Sequence, residues 1–184
     1  MSKIILENKT VLIVLGEHQK EMVISLLQNG VLIGKDEIIS TKNALLKYIE
    51  VHPASRHEPK NKMDEGYLVS DDCVNEALKT EIQRKEDFIN ESPFSIICLT
   101  GAIQTATQLN FLQENTFFNL RRAERIIFLV EAGRRMKNNL LEEIGWLDIK
   151  HNNFKMYSYD PSEVNNQQYI SKIVYRLGLP AVPA

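Results

Sequence analysis

Three short, almost unbroken apolar runs constrain this chain more than any other feature. They are Thr10-Val11-Leu12-Ile13-Val14-Leu15, Phe94-Ser95-Ile96-Ile97-Cys98-Leu99-Thr100 and Arg125-Ile126-Ile127-Phe128-Leu129-Val130. A strand with one wet face alternates, whereas a strand covered on both faces does not, so these runs predict doubly buried strands. Between them the apolar residues recur at helical spacing. Met22, Val23, Leu26 and Leu27 precede Asn29-Gly30, which closes a helix. Val74, Leu78, Ile82, Phe88 and Ile89 follow an Asp71-Asp72 start and stop at Ser92-Pro93. Ala106, Leu109 and Leu112 follow Gly101, and Met136, Leu140, Ile144 and Leu147 follow the third run, with Trp146 packing that helix. Phe154–Tyr159 alternates, which predicts a strand near an edge, and Asp160-Pro161-Ser162 opens a last helix ending at Leu179-Pro180. Buried strands separated by helices imply parallel crossovers with helices on both faces, an open α/β sheet.

The 184 residues read as a single α/β domain, 1–184, elaborated at about 35–71. Val31–Gly34 suggests a short strand. Ile38, Ile39, Leu45, Leu46 and Ile49 suggest an extra helix from Lys35-Asp36, and a long polar loop runs from His52-Pro53 to Glu65-Gly66. A chain this long buries roughly 70% of its unfolded surface and holds a core without staples.

The net charge of −2 gives no global reason to expect nucleic acid and leaves room only for a local basic patch. Two cysteines, Cys73 and Cys98, make no disulfide framework. The absence of a long apolar run predicts no membrane span, and the N-terminus lacks a signal-peptide pattern, so a reducing cytoplasm is expected.

In open α/β sheets, ligands sit outside the carboxyl ends of the strands. That rule selects Gly16-Glu17-His18, Thr100-Gly101-Ala102, Val130-Glu131-Ala132-Gly133 and Tyr159-Asp160. Helix N-termini on that edge suit phosphate or carboxylate, so a nucleotide-type small molecule is the expected ligand class. Neither the P-loop nor the Gly-x-Gly-x-x-Gly fingerprint is present, and Gly-x-Ser-x-Gly is missing. His52, His57 and Glu58 lack compact ligand spacing, and no metal is expected. Asn110 and Glu114 stand four apart and share a helix face. A carboxylate there could grip a ribose or stabilise positive charge as a glycosidic bond breaks; the competing reading is an ordinary solvated face.

The order Cys98-Leu99-Thr100, then Asn110-Phe111-Leu112-Gln113-Glu114, then Arg121-Arg122-Ala123-Glu124-Arg125 and Ile126–Glu131 resembles the bacterial TIR-like nucleotide-binding domains. The resemblance covers about 72–160, and 10–30 more loosely. It implies a flavodoxin-like, three-layer sheet and a pocket for NAD as substrate, with no further cofactor. Glu114 would be the catalytic residue cleaving the nicotinamide–ribose bond. Gly16, Glu17, His18, Thr100, Gly101 and Asn110 would bind the nucleotide, and self-association would accompany activity. The loop Leu15-Gly16-Glu17-His18 and the Asn115-Thr116 that follow Glu114 depart from the family pattern. They and the long charged loop motivate one alternative, a non-catalytic nucleotide-sensing or interaction module; a nucleoside or phosphoribosyl-type transferase, which would also want a carboxylate at a strand end, is a third reading.

Overall fold

The structure, a computed structural model, describes residues 4–51, 70–101, 105–114, 118–133 and 140–182. The loop at 52–66, Ala102, Asn115, Thr116, Arg134 and Arg135 lie outside the described residues.

Five strands form one all-parallel sheet: β1 (Thr10–Leu15), β2 (Ile38–Ser40), β3 (Ile96–Thr100), β4 (Arg125–Glu131) and β5 (Phe154–Tyr159). Their order is β2-β3-β1-β4-β5. The architecture is an open, three-layer α/β sheet of the flavodoxin-like kind. Its order places β1 between β3 and β4, where flavodoxin itself sets β1 between strands 2 and 3.

Among the described residues the helices are α1 (Gln19–Gln28), α2 (Thr41–Val51), α3 (Asp71–Arg84), α4 (Glu86–Glu91), α5 (Ala106–Glu114), α6 (Leu140–Lys150) and α7 (Gln167–Leu177). Alternation along the strands builds two cores. Val11, Ile13, Ile97, Leu99, Ile126 and Phe128 face α2, α3, α5 and α6. Leu12, Val14, Cys98, Ile127 and Leu129 face α1 and α7. The three central strands are buried along almost their whole length, which is why their sequences do not alternate. β5 is an edge strand, as its alternation predicts.

The region near residue 35 differs from the sequence expectation. Lys35–Glu37 is one 3-10 turn, Ile38–Ser40 is β2, and the helix starts only at Thr41. Ile38 and Ile39 fit either element locally; pairing with Cys98 and Leu99 makes them a strand. Val31 forms an isolated antiparallel bridge to Ala181 rather than a sheet strand. Trp146 and Phe88, expected in the core, are each 60% exposed, because Leu140, Ile144 and Leu147 form the buried stripe of α6 and Ile89 turns inward from α4. Among the described residues no helix is long and apolar enough to cross a membrane.

Candidate functional site

The strand order fixes where a crevice opens. From β1 the chain steps toward β2 over the face of α1; from β4 it steps toward β5 over the opposite face, carrying α6. Connections that diverge from neighbouring strands leave a gap beyond their carboxyl ends, the usual ligand position in an open sheet. In this chain that gap lies between β1 and β4.

Glu131, the last residue of β4, occupies it. The side chain is only 7% exposed. Its Oε2 accepts the backbone N–H of Glu17 at 2.6 Å, and its Oε1 lies 2.6 Å from His18 Nδ1. A carboxylate at that distance requires Nδ1 to donate, which in the neutral imidazole leaves Nε2 as the acceptor nitrogen. His18 is 45% exposed, so the dyad has one buried and one accessible member. Burial alone would raise the Glu131 carboxyl. The bonds from His18 and from the Glu17 N–H outweigh it and hold the group below the ordinary carboxylate value.

Local backbone builds this arrangement. Gly16 has φ +129°, a region side chains rarely enter, and a Cβ there would collide with Glu131 and crowd the Tyr159 hydroxyl. Glycine therefore lets the chain turn tightly against the carboxylate. Tyr159, fully buried at the end of β5, donates to the Leu15 carbonyl at 3.1 Å, and Ala132 N–H donates to the Tyr159 carbonyl at 2.9 Å. The ends of β1, β4 and β5 are thereby locked together behind the dyad.

Thr100 and Gly101 stand on the same edge, across β1, with Val14 in register with Thr100. The Gly101 N–H donates to Gln19 Oε1 at 2.6 Å, which ties the β3 end to the first turn of α1. Five of the residues expected to bind, Gly16, Glu17, His18, Thr100 and Gly101, thus share one edge of the sheet.

Asn110 and Glu114 are placed differently. They share one face of α5, as their spacing requires, but it is the exposed face; Leu109, Leu112 and Gln113 point inward. The helix leaves the β3 end and runs back along the sheet. Glu114, eight residues beyond Ala106, is therefore about 12 Å further along the axis. Asn110 and Glu114 thus stand on the solvent face of α5, whereas Glu131 is buried at the end of β4. Near its start, α5 instead buries Thr105 and Gln108, which donate to Asp71 at 2.8 and 3.0 Å.

Glu131 is the residue sequence reasoning passed over, although its segment belongs to the selected edge. The available signal was a lone carboxylate ending a doubly buried strand. His52, His57 and Glu58 lie outside the described residues.

Comparison with protein-family models and with curated proteins finds no match for this chain. The class therefore rests on the fold and the site together: an open α/β domain with a carboxylate–imidazole pair at its switch crevice.

Proposed function

We propose that this chain binds a nucleotide-type small molecule in the crevice between β1 and β4 and hydrolyses its N-glycosidic bond. NAD is the substrate that the TIR-like resemblance suggests. One observation carries the reading: the buried Glu131 carboxylate holds His18 by Nδ1 and leaves Nε2 as a base on the ligand-binding edge of the sheet.

The chemistry follows from that pair. Nε2 takes a proton from water as its oxygen attacks the ribose C1′. The C1′–N bond breaks, and its electron pair leaves with nicotinamide, which departs neutral. The imidazolium so formed is stabilised by Glu131, whose charge is already in place before the reaction begins. The N-terminus of α1, immediately after His18, favours the phosphates of the same ligand.

Glu114 competes for the acting role on the strength of the resemblance, and the two assignments separate cleanly. NAD is incubated at high protein concentration, since self-association is expected to accompany activity, and nicotinamide release is measured for Glu114→Ala, His18→Ala and Glu131→Gln. A loss of 100-fold or more, on the order of a general base's contribution, is expected in the last two and not in the first. Undiminished turnover in His18→Ala would remove the dyad from the mechanism.

A second reading has its own observation. Both Glu131 oxygens are already bonded within the protein, as in a site built to hold a shape. A non-catalytic nucleotide sensor would show thermal stabilisation by NAD without nicotinamide release. A ligand at a hundredfold its Kd adds about 2.7 kcal/mol.

A further inference from the structure

The flank of α7 that faces β5 gathers aromatic and cationic side chains. Tyr169, Lys172 and Arg176 follow one another along it, and Tyr157 of the edge strand stands beside them. With Ser171 and Tyr175 they line an open groove of about 830 Å³. Tyr175 is 90% exposed, an unusual position for so large a ring.

The charge on α7 itself is one-sided. From Gln167 to Leu177 the helix contains no carboxylate. Neither Lys172 nor Arg176 has an ion-pair partner among the described residues. Arg176 instead holds its guanidinium carbon 5.8 Å from the Tyr157 ring centroid and donates to the Tyr157 hydroxyl at 3.5 Å. These contacts use one of its five N–H donors and leave the others for a second partner. Arg125 continues the basic line past the helix end, where it donates to the carbonyls of Leu177 and Gly178 at 2.7 and 3.1 Å. Asp160 and Glu163 precede the helix at the other end, where the Asp160 backbone N–H donates to the Tyr169 hydroxyl at 2.7 Å.

We infer that this groove is a second binding surface, separate from the crevice between β1 and β4, and that its occupant is single-stranded nucleic acid. Two unneutralised cations one helical turn apart suit phosphates, and tyrosine rings suit bases, whose π faces are the same in every sequence. The shape favours a strand over a free nucleotide. A small ligand gains its affinity by being mostly enclosed, whereas this groove is open and spreads its aromatic and cationic groups along two turns. The chain's net charge of −2 does not oppose this, because phosphate contacts depend on the local surface.

Fluorescence anisotropy with a short labelled oligothymidylate at low salt tests the inference. Tyr175→Ala removes a side chain with almost no packing and should weaken binding about tenfold, while Tyr175→Phe should keep it. Replacing Lys172 and Arg176 together by Gln should reduce the slope of log affinity against log salt by about 1.4, two phosphates' worth for a single strand. His18→Ala should change neither quantity. Equal binding of a duplex, displacement by equimolar AMP, an unchanged affinity in Tyr175→Ala, or no binding at all would each overturn the assignment. Heparin binding with the oligonucleotide excluded would identify a bare polyanion patch and would overturn it too.

Discussion

His18 Nδ1 and Glu131 Oε1 lie 2.6 Å apart although 113 residues separate them in the chain. The contact exists because β1 and β4 are neighbours in register, so the residues just beyond Leu15 and Val130 must meet. Whatever binds at this edge meets an imidazole whose orientation is fixed from behind.

The first prediction concerns acid. Glu131 is held below the ordinary carboxylate value, so the unfolded chain takes up its proton at higher pH than the folded one. Its contribution to stability is therefore complete above the unfolded value and is lost as pH falls through the folded one. Glu131→Gln should lower stability at neutral pH by about 1–3 kcal/mol, the cost of disrupting buried hydrogen bonds. The difference from the parent should shrink as pH drops below the ordinary carboxylate range. Urea melts from pH 7 downward measure both effects; a pH-independent difference would contradict the linkage.

Gly16→Ala should be far more costly than an exposed loop substitution normally is. The new Cβ meets Glu131, and φ of +129° is strained for alanine. A loss of about 1–3 kcal/mol is expected from the backbone alone. Thermal melts measure the stability, and histidine NMR reports whether the Nδ1 proton of His18 keeps its bonded signal, which should disappear. Gly145→Ala, where nothing lies within 4 Å of the added carbon, serves as the control and should be neutral or stabilising.

A third prediction lies away from the site. Glu81 of α3 is 7% exposed and is bonded to Lys47 at 3.1 Å and Arg84 at 2.9 Å, with Lys85 at 4.0 Å. Burial would raise its carboxyl, but Arg84 and Lys47 hold it down. Glu81→Ala takes a carboxylate away from the half-enclosed charge of Lys85, whose side chain is only 13% exposed and which keeps its bonds to the Asp36 and Ile38 carbonyls at 3.2 and 3.3 Å. A loss of about 2 kcal/mol is expected, less than for a fully buried pair because Lys47 and Arg84 reach solvent. Urea denaturation measures it, and Lys85→Met in the same background should recover part of the loss.

The two cysteines should react very differently. Cys98, fully buried in β3, has its thiol pushed up to about 12 by burial, so it carries almost no thiolate at neutral pH. Cys73 is partly exposed on α3. Iodoacetamide at pH 8 should label Cys73 and spare Cys98 until denaturant is added, as peptide mass spectrometry will show. Labelling of Cys98 at the same rate in the native protein would mean that β3 opens readily.

Much of the fold was legible because it follows from local pattern. The unbroken apolar runs in β1, β3 and β4 announce strands covered on both faces, and Phe154–Tyr159 announces its edge position by alternating. The reading failed where local pattern is ambiguous. Ile38-Ile39 fits a helix or a strand, and only the neighbouring Cys98-Leu99 decides. Trp146 lies one position from the stripe of Ile144 and Leu147, and the rotation of α6 on the sheet leaves it outside.

The site divides in the same way. Sequence alone pointed to the strand ends as the candidate edge, and five of the residues named for it, Gly16, Glu17, His18, Thr100 and Gly101, do lie together there. It also determined that Asn110 and Glu114 would share a helix face, since that depends only on helical period. Which strands adjoin was decided by tertiary structure, because pairing between distant segments leaves no periodic trace in either one. That choice set β1 beside β4, brought His18 to Glu131, and left the face of Asn110 and Glu114 in solvent.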